Sequence, residues 1–171
     1  MTTQHLTDTD LAAQPVAYWT GLAYEATIAR IRAHMAELGT SQPQFWILRN
    51  LSPHDLSPDG HGRTVPELKE AMATYLRPED DLSTEAQTLL AKGWITRDGD
   101  GRLWITEAGE EARTEVKRHA PAVRARLHEG IDDADYVTAV KVLRRMILNS
   151  GDPAGVFTSP ATGPSSGSGR P

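Results

Sequence analysis

The sequence has no cysteine, which removes disulfides, thiolate metal sites and cysteine nucleophiles together. It has no run of eighteen apolar residues, so no membrane span is expected. It has no surplus of positive charge: 18 Lys and Arg stand against 23 Asp and Glu, a net −5. A uniformly basic nucleic-acid binder is thereby excluded, and any surface that meets a polyanion must be built from a few placed cations. Met1 to Asp10 lacks the basic and apolar regions of a secretory signal, and the cytoplasm is the expected compartment. Phosphate-cradling Gly-x-x-x-x-Gly-Lys, dinucleotide Gly-x-Gly-x-x-Gly, zincin His-Glu-x-x-His and Gly-x-Ser-x-Gly patterns are all missing. No cofactor and no enzymatic activity are expected.

Two segments cannot carry a core. Residues 152–171 are rich in Gly, Pro and Ser and read as a disordered tail, and residues 1–9 read as a flexible N-terminus. One working domain is expected over 10–151.

Within it, a long helix is predicted from about Ala13 to Leu38, with Gly39 at its end. It carries two apolar stripes. Tyr24, Ile28, Ile31, Met35 and Leu38 form one, and Val16, Trp19, Ala23 and Ala26 form the other. An ordinary surface helix needs one stripe, so two suggest either a second subunit or a central position in a monomer. Ser41 with Gln44, and Thr64 with Glu67, are capping-box patterns that open two further helices, the first running to about Leu51. Ser52 to Arg63 reads as a loop. A helix from about Glu79 or Asp80 to Lys92 has Leu82, Ala86, Leu89 and Leu90 on its apolar face, and Gly93 ends it. Trp94–Arg97 and Arg102–Thr106 flank Asp98-Gly99-Asp100-Gly101 as a β-hairpin. Helix resumes from Glu107 to Glu129, where Pro121 should bend or interrupt it. A last helix from near Asp132 should bury Tyr136, Val140, Leu143 and Ile147.

A helix pair followed at once by a two-stranded hairpin is the order of a winged helix-turn-helix, whose second helix enters the major groove. Four stretches make the likeness specific: Gln44–Leu51, Thr64–Leu68, the Leu-x-x-x-Gly-hydrophobic run of Leu89 to Ile95, and Ile105-Thr106-Glu107-Ala108-Gly109. In this order the chain resembles the MarR family of bacterial transcription regulators over about residues 14–148. The resemblance implies a mostly α fold with a small β-hairpin wing, a DNA-binding core (41–106), and dimerisation helices (10–40 and 107–151). It implies a homodimer on a double-stranded DNA operator, acting as a repressor and answering to a small aromatic or phenolic effector.

The chain departs from the family's pattern in three places. The interval from Leu68 to Gly93 is a few residues longer, the wing is short, and the start of the recognition helix is acidic. Glu79, Asp80, Asp81 and Glu85 there face one base, Arg77. Three accounts of these acids are open. They complement the helix dipole, one accepts a hydrogen bond from cytosine N4, or DNA binding is lost and the module engages protein or a small ligand instead.

Candidate DNA contacts are Ser83, Thr84, Gln87 and Thr88 on the polar face, Arg97 and Arg102 beside the hairpin turn, and Lys69 and Arg77 before the helix. Arg97 and Arg102 could equally pair with Asp98 and Asp100. Trp19, Tyr24, Trp46 and Arg49 offer aromatic walls and one cation for an effector, or simply pack together. His54, Asp55, Asp59 and His61 share a Pro- and Gly-rich loop and read as solvated polar residues, so no metal is expected.

Overall fold

Local capping decides where most of the helices begin. The computed structural model describes residues 7–151. Its order is α1 (Asp8–Ala12), α2 (Val16–Glu37), α3 (Gln42–Leu51), α4 (Val65–Ala71), α5 (Leu82–Ala91), β1 (Ile95–Arg97), β2 (Leu103–Ile105), α6 (Glu107–Leu127) and α7 (Asp133–Asn149). Both predicted capping boxes form: Ser41 with Gln44 opens α3, and Thr64 with Glu67 opens α4. A third, Thr7 with Asp10, opens α1 inside the stretch assigned to a flexible N-terminus. Residues 1–6 and the Gly/Pro/Ser-rich tail, 152–171, lie outside the described residues.

Helix α5 starts later than its predicted Glu79 or Asp80. Asp80 accepts the Arg77 N–H at 2.9 Å in a turn of its own, and Asp81 takes the N-cap, accepting the Ser83 N–H at 2.9 Å. Helix α6 runs on through Pro121 without a break. Proline denies the Lys117 carbonyl its N–H partner, yet one missing bond in a 21-residue helix does not end it.

The chain divides after Leu127 into two compact units. The core of the first is the winged-helix part: Ile47, Leu48 and Leu51 of α3, Leu68 and Met72 at α4, Leu82, Ala86 and Leu89 of α5, and Ile95 and Leu103 of the hairpin. The strands pair antiparallel, Ile95 with Ile105 and Arg97 with Leu103. A third edge joins them from the predicted loop, where Arg63 and Leu103 exchange backbone hydrogen bonds of 3.1 and 2.8 Å. That edge gives the short hairpin the extra partner that two strands need.

The two stripes of α2 resolve into two halves along its length. Ile28, Ile31, Met35 and Leu38 are half-buried, while Val16, Tyr18, Trp19, Leu22 and Tyr24 are exposed. In the second unit Asp132 caps α7, accepting the Ala134 N–H. The burial expected there is not found among the described residues. Tyr136 and Ile147 are half-buried, but Val140 and Leu143 are exposed, as are Val137, Val142, Met146 and Leu148. Helical spacing identified an apolar face but could not say what covers it. No helix among the described residues is long and apolar enough to cross a membrane.

Candidate nucleic-acid interface

Helix α5 is held in place from both ends. At its C-terminus Gly93 has φ +70°, the left-handed conformation that suits glycine. Trp94 N–H reaches Leu89 O and Gly93 N–H reaches Leu90 O, each at 3.0 Å. These are the two bonds of a Schellman motif, and they give Leu-x-x-x-Gly-hydrophobic its physical meaning. At its N-terminus the acidic run is engaged within the protein. Asp80 accepts two bonds from the Arg32 guanidinium of α2, at 2.7 and 3.0 Å. Its side chain is only 6% exposed. Burial alone would raise its pKa, but the Arg32 hydrogen bonds, the Arg77 N–H and both positive charges outweigh it and hold the carboxyl below its usual range. Glu79 pairs with Arg77 at 2.7 Å, and Glu85 accepts from Gln44 Nε2 at 2.6 Å. Asp81, the cap, also accepts from Thr84 Oγ1 at 2.7 Å; with the Ser83 N–H this lowers its pKa.

The outward side of α5 is therefore polar. Ser83, Thr84 and Gln87 are exposed and Thr88 is half-buried. Thr88 Oγ1 donates to the Thr84 carbonyl at 3.1 Å. On the wing Arg97 is exposed and, among the described residues, its side chain forms no hydrogen bond or ion pair, whereas that of Arg102 is committed. Arg102 donates to the Gly62 carbonyl at 2.6 Å and pairs with Glu67 at 3.1 Å. Neither arginine takes the side-chain partners Asp98 or Asp100. Asp98 instead accepts from Trp104 Nε1 at 2.8 Å and from the Asp100 and Arg102 N–H groups, which lowers its pKa. Lys69 is exposed on α4. Arg77 is drawn towards α2, pairing with Glu25 at 2.9 Å. Arg63 was not among the sequence candidates, but its backbone pairing puts it at the edge of the wing. No local pattern could have found it, because its partner Leu103 is forty positions away.

The four effector candidates are not brought together. The Arg49 guanidinium lies 4.6 Å from the Trp46 ring, and Trp46 stacks on Tyr75 with 4.4 Å between centroids. Trp19 bonds to Gln14 and Tyr24 lies 6.0 Å from Arg77, both on the exposed half of α2. Arg49 also belongs to a buried charge cluster. Its Nη2 and Nε meet Asp55 at 2.9 and 3.1 Å, and Arg113 and Lys117 reach the same carboxylate at 3.1 and 3.3 Å. Burial would raise the Asp55 pKa, but the bonds and charges of Arg49 and Lys117 leave it lowered. Asp55 is thus spent on arginines, and Asp59 accepts from Ser57 Oγ and the His61 N–H. The His54–His61 loop holds no metal-ligating group of three among the described residues.

No family model matches the chain, and no curated protein does. Solved structures do. A Mycobacterium tuberculosis MarR-family protein aligns with TM-score 0.61 at 18% identity, over 79% of this chain and 97% of that one. The same protein in complex with DNA aligns with TM-score 0.58 at 19% identity, over 81% and 98%. The reduced form of MarR from E. coli aligns with TM-score 0.57 at 16% identity, over 78% and 94%. Hairpin, capped helix pair and flanking long helices together give this chain the winged helix-turn-helix fold of MarR-family transcriptional regulators.

Proposed function

We propose that the chain is a sequence-specific DNA-binding transcription regulator, acting as a homodimer on a double-stranded operator. One observation carries the reading. The acids that should repel a duplex are tied to Arg32, Arg77, Gln44 or the helix cap, while Ser83, Thr84 and Gln87 face outward with Arg97 exposed on the wing. Like charges near phosphate cost on the order of 1 kcal/mol each even in water, and pairing offsets that cost. The same tying argues against the other reading, a module whose acidic helix engages protein or a small ligand. The neighbour from M. tuberculosis crystallised with DNA adds support by fold alone. In this reading Ser83, Thr84, Gln87 and Thr88 meet bases or backbone, and Arg97, Lys69, Arg102 and Arg77 meet phosphates after any release from their own partners. The regulator works in the cytoplasm, beside the chromosome, and catalyses nothing.

Self-association is supported by the apolar side chains that each unit leaves open, Trp19, Leu22 and Tyr24 on α2 and Val137, Val140 and Met146 on α7. Repression relieved by a small aromatic or phenolic effector belongs to the same proposal. Trp19 and Tyr24 on the open half of α2 remain its candidate walls, and Trp46 with Arg49 its candidate inner face. Such a ligand acts only if it favours one conformation over the other.

A gel shift against the gene's own upstream region, repeated across salt concentrations, tests the reading. Specific retardation that weakens as salt rises is expected. No specific retardation at low salt would favour the protein- or ligand-binding module.

A further inference from the structure

The hydrogens of two hydroxyl groups on α5 are already committed inside the protein. Thr84 Oγ1 lies 2.7 Å from a carboxylate oxygen of Asp81, and an ionised carboxylate only accepts. Thr88 Oγ1 lies 3.1 Å from the Thr84 carbonyl, which also only accepts. Both hydroxyls therefore donate inward and turn only lone pairs outward. Both Asp81 oxygens are taken, by the Ser83 N–H and the Thr84 hydroxyl, and exposed Ser83 adds a single neutral hydroxyl donor to this face.

Leu82–Ala91 contains no Lys or Arg. The next cation, Lys92, is turned back onto the Gly39 carbonyl at 2.6 Å and Gln44 Oε1 at 3.0 Å. Guanine is most often read by a bidentate Arg or Lys on O6 and N7, and α5 has neither to offer. Gln87 is exposed and, among the described residues, makes no side-chain hydrogen bond. Its amide has one donor and one acceptor side, the pairing that fits adenine N6 and N7.

Resting on the DNA-binding reading, we propose that α5 recognises the exocyclic amino groups of the major groove, adenine N6 and cytosine N4. Gln87 takes an adenine, and guanine O6 and N7 meet no bidentate cation on α5. An operator half-site is then specified by where its adenines and cytosines stand, and guanine enters only as the partner of a recognised cytosine.

The test starts with the full-length chain selecting duplexes from a random pool. Analogues are then placed in the selected site: 2-aminopurine, which lacks the 6-amino group, for each adenine, and 7-deazaguanine for each guanine. At the adenine under Gln87, 2-aminopurine should lower affinity about tenfold or more, and 7-deazaguanine should change it less than about twofold at every position. Gln87→Ala should abolish the 2-aminopurine effect at that adenine alone. A tenfold loss with 7-deazaguanine in the half-site would overturn the proposal. So would a Gln87→Ala protein that selects the same sequence with the same analogue response. A pool that yields no enriched sequence at all would instead overturn the DNA-binding reading beneath it.

Discussion

At Gly109 there is no room for a methyl group: a Cβ there would run into the Trp94 carbonyl and the Ile105 side chain. The neighbouring Thr106 explains why. Its hydroxyl donates to the Gly93 carbonyl at 2.8 Å and accepts the Gly109 N–H at 3.1 Å, while its own N–H reaches the Trp94 carbonyl at 3.0 Å. The end of α5 and the start of α6 are thus one joint, closed by a threonine and a glycine three residues apart. Gly109→Ala should destabilise the protein by about 1–3 kcal/mol through overpacking, read as a lower urea midpoint with an unchanged slope. The Asp55 cluster makes a second prediction at this scale. Removing the carboxylate with Asp55→Ala leaves Arg49 and Arg113 buried without it, which should cost about 3–5 kcal/mol. Its pH dependence has a definite sign. The folded pKa lies below the ordinary 3.8, so the stabilisation is complete above that value and is lost as pH falls through the lowered folded pKa. Asp80 behaves alike. Thermal melts of the native protein should fall steeply below about pH 4, and Asp55→Ala should flatten that acid limb.

Between elements, the tie from α2 to the start of α5 is the most consequential. Arg32 and Glu25 lie two turns apart on α2 and grip Asp80 and Arg77, just ahead of the cap Asp81. Arg32→Gln should weaken operator binding without changing the slope of log affinity against log salt, since no phosphate contact is lost. Arg97→Ala should weaken binding and reduce that slope by about 1.8, because the dimer loses one phosphate contact from each protomer. Titrations at three or more salt concentrations separate the two. Elements of this kind were legible in the sequence to the extent that their signals are local. Ser41 with Gln44, Thr64 with Glu67, and the Asp-Gly turn each act within a few residues, and they marked α3, α4 and the hairpin. Arg49 shows the limit. The sequence shows it beside Trp46, but its partner Asp55 sits in a stretch that reads as solvated loop, and Arg113 and Lys117 come from α6. A pairing across some sixty positions leaves no trace in spacing. Asp80 was visible as a charge problem, but its partner, Arg32, was not.

For the molecule as a whole, periodicity found the amphipathic faces and the order of elements found the winged helix. The cover over α2 and α7 was beyond reach, because an apolar stripe looks the same whether its partner is the same chain or another. The exposed Trp19, Leu22 and Tyr24, and on the other unit Val137, Val142 and Met146, should make the protein a dimer in solution. Mass measured by light scattering should be twice 18.7 kDa, and the melting temperature should rise with protein concentration. A monomeric mass would remove the two-fold symmetry on which a palindromic operator depends.

The scarcity of uncommitted cations around α5 bears on how such a regulator would search a genome. Attraction to random duplex comes almost wholly from displaced counterions, and Arg97 with Lys69 displace few. Visits to bulk chromosome would be brief, little of the protein would be sequestered there, and a modest number of copies would suffice to keep the right address occupied.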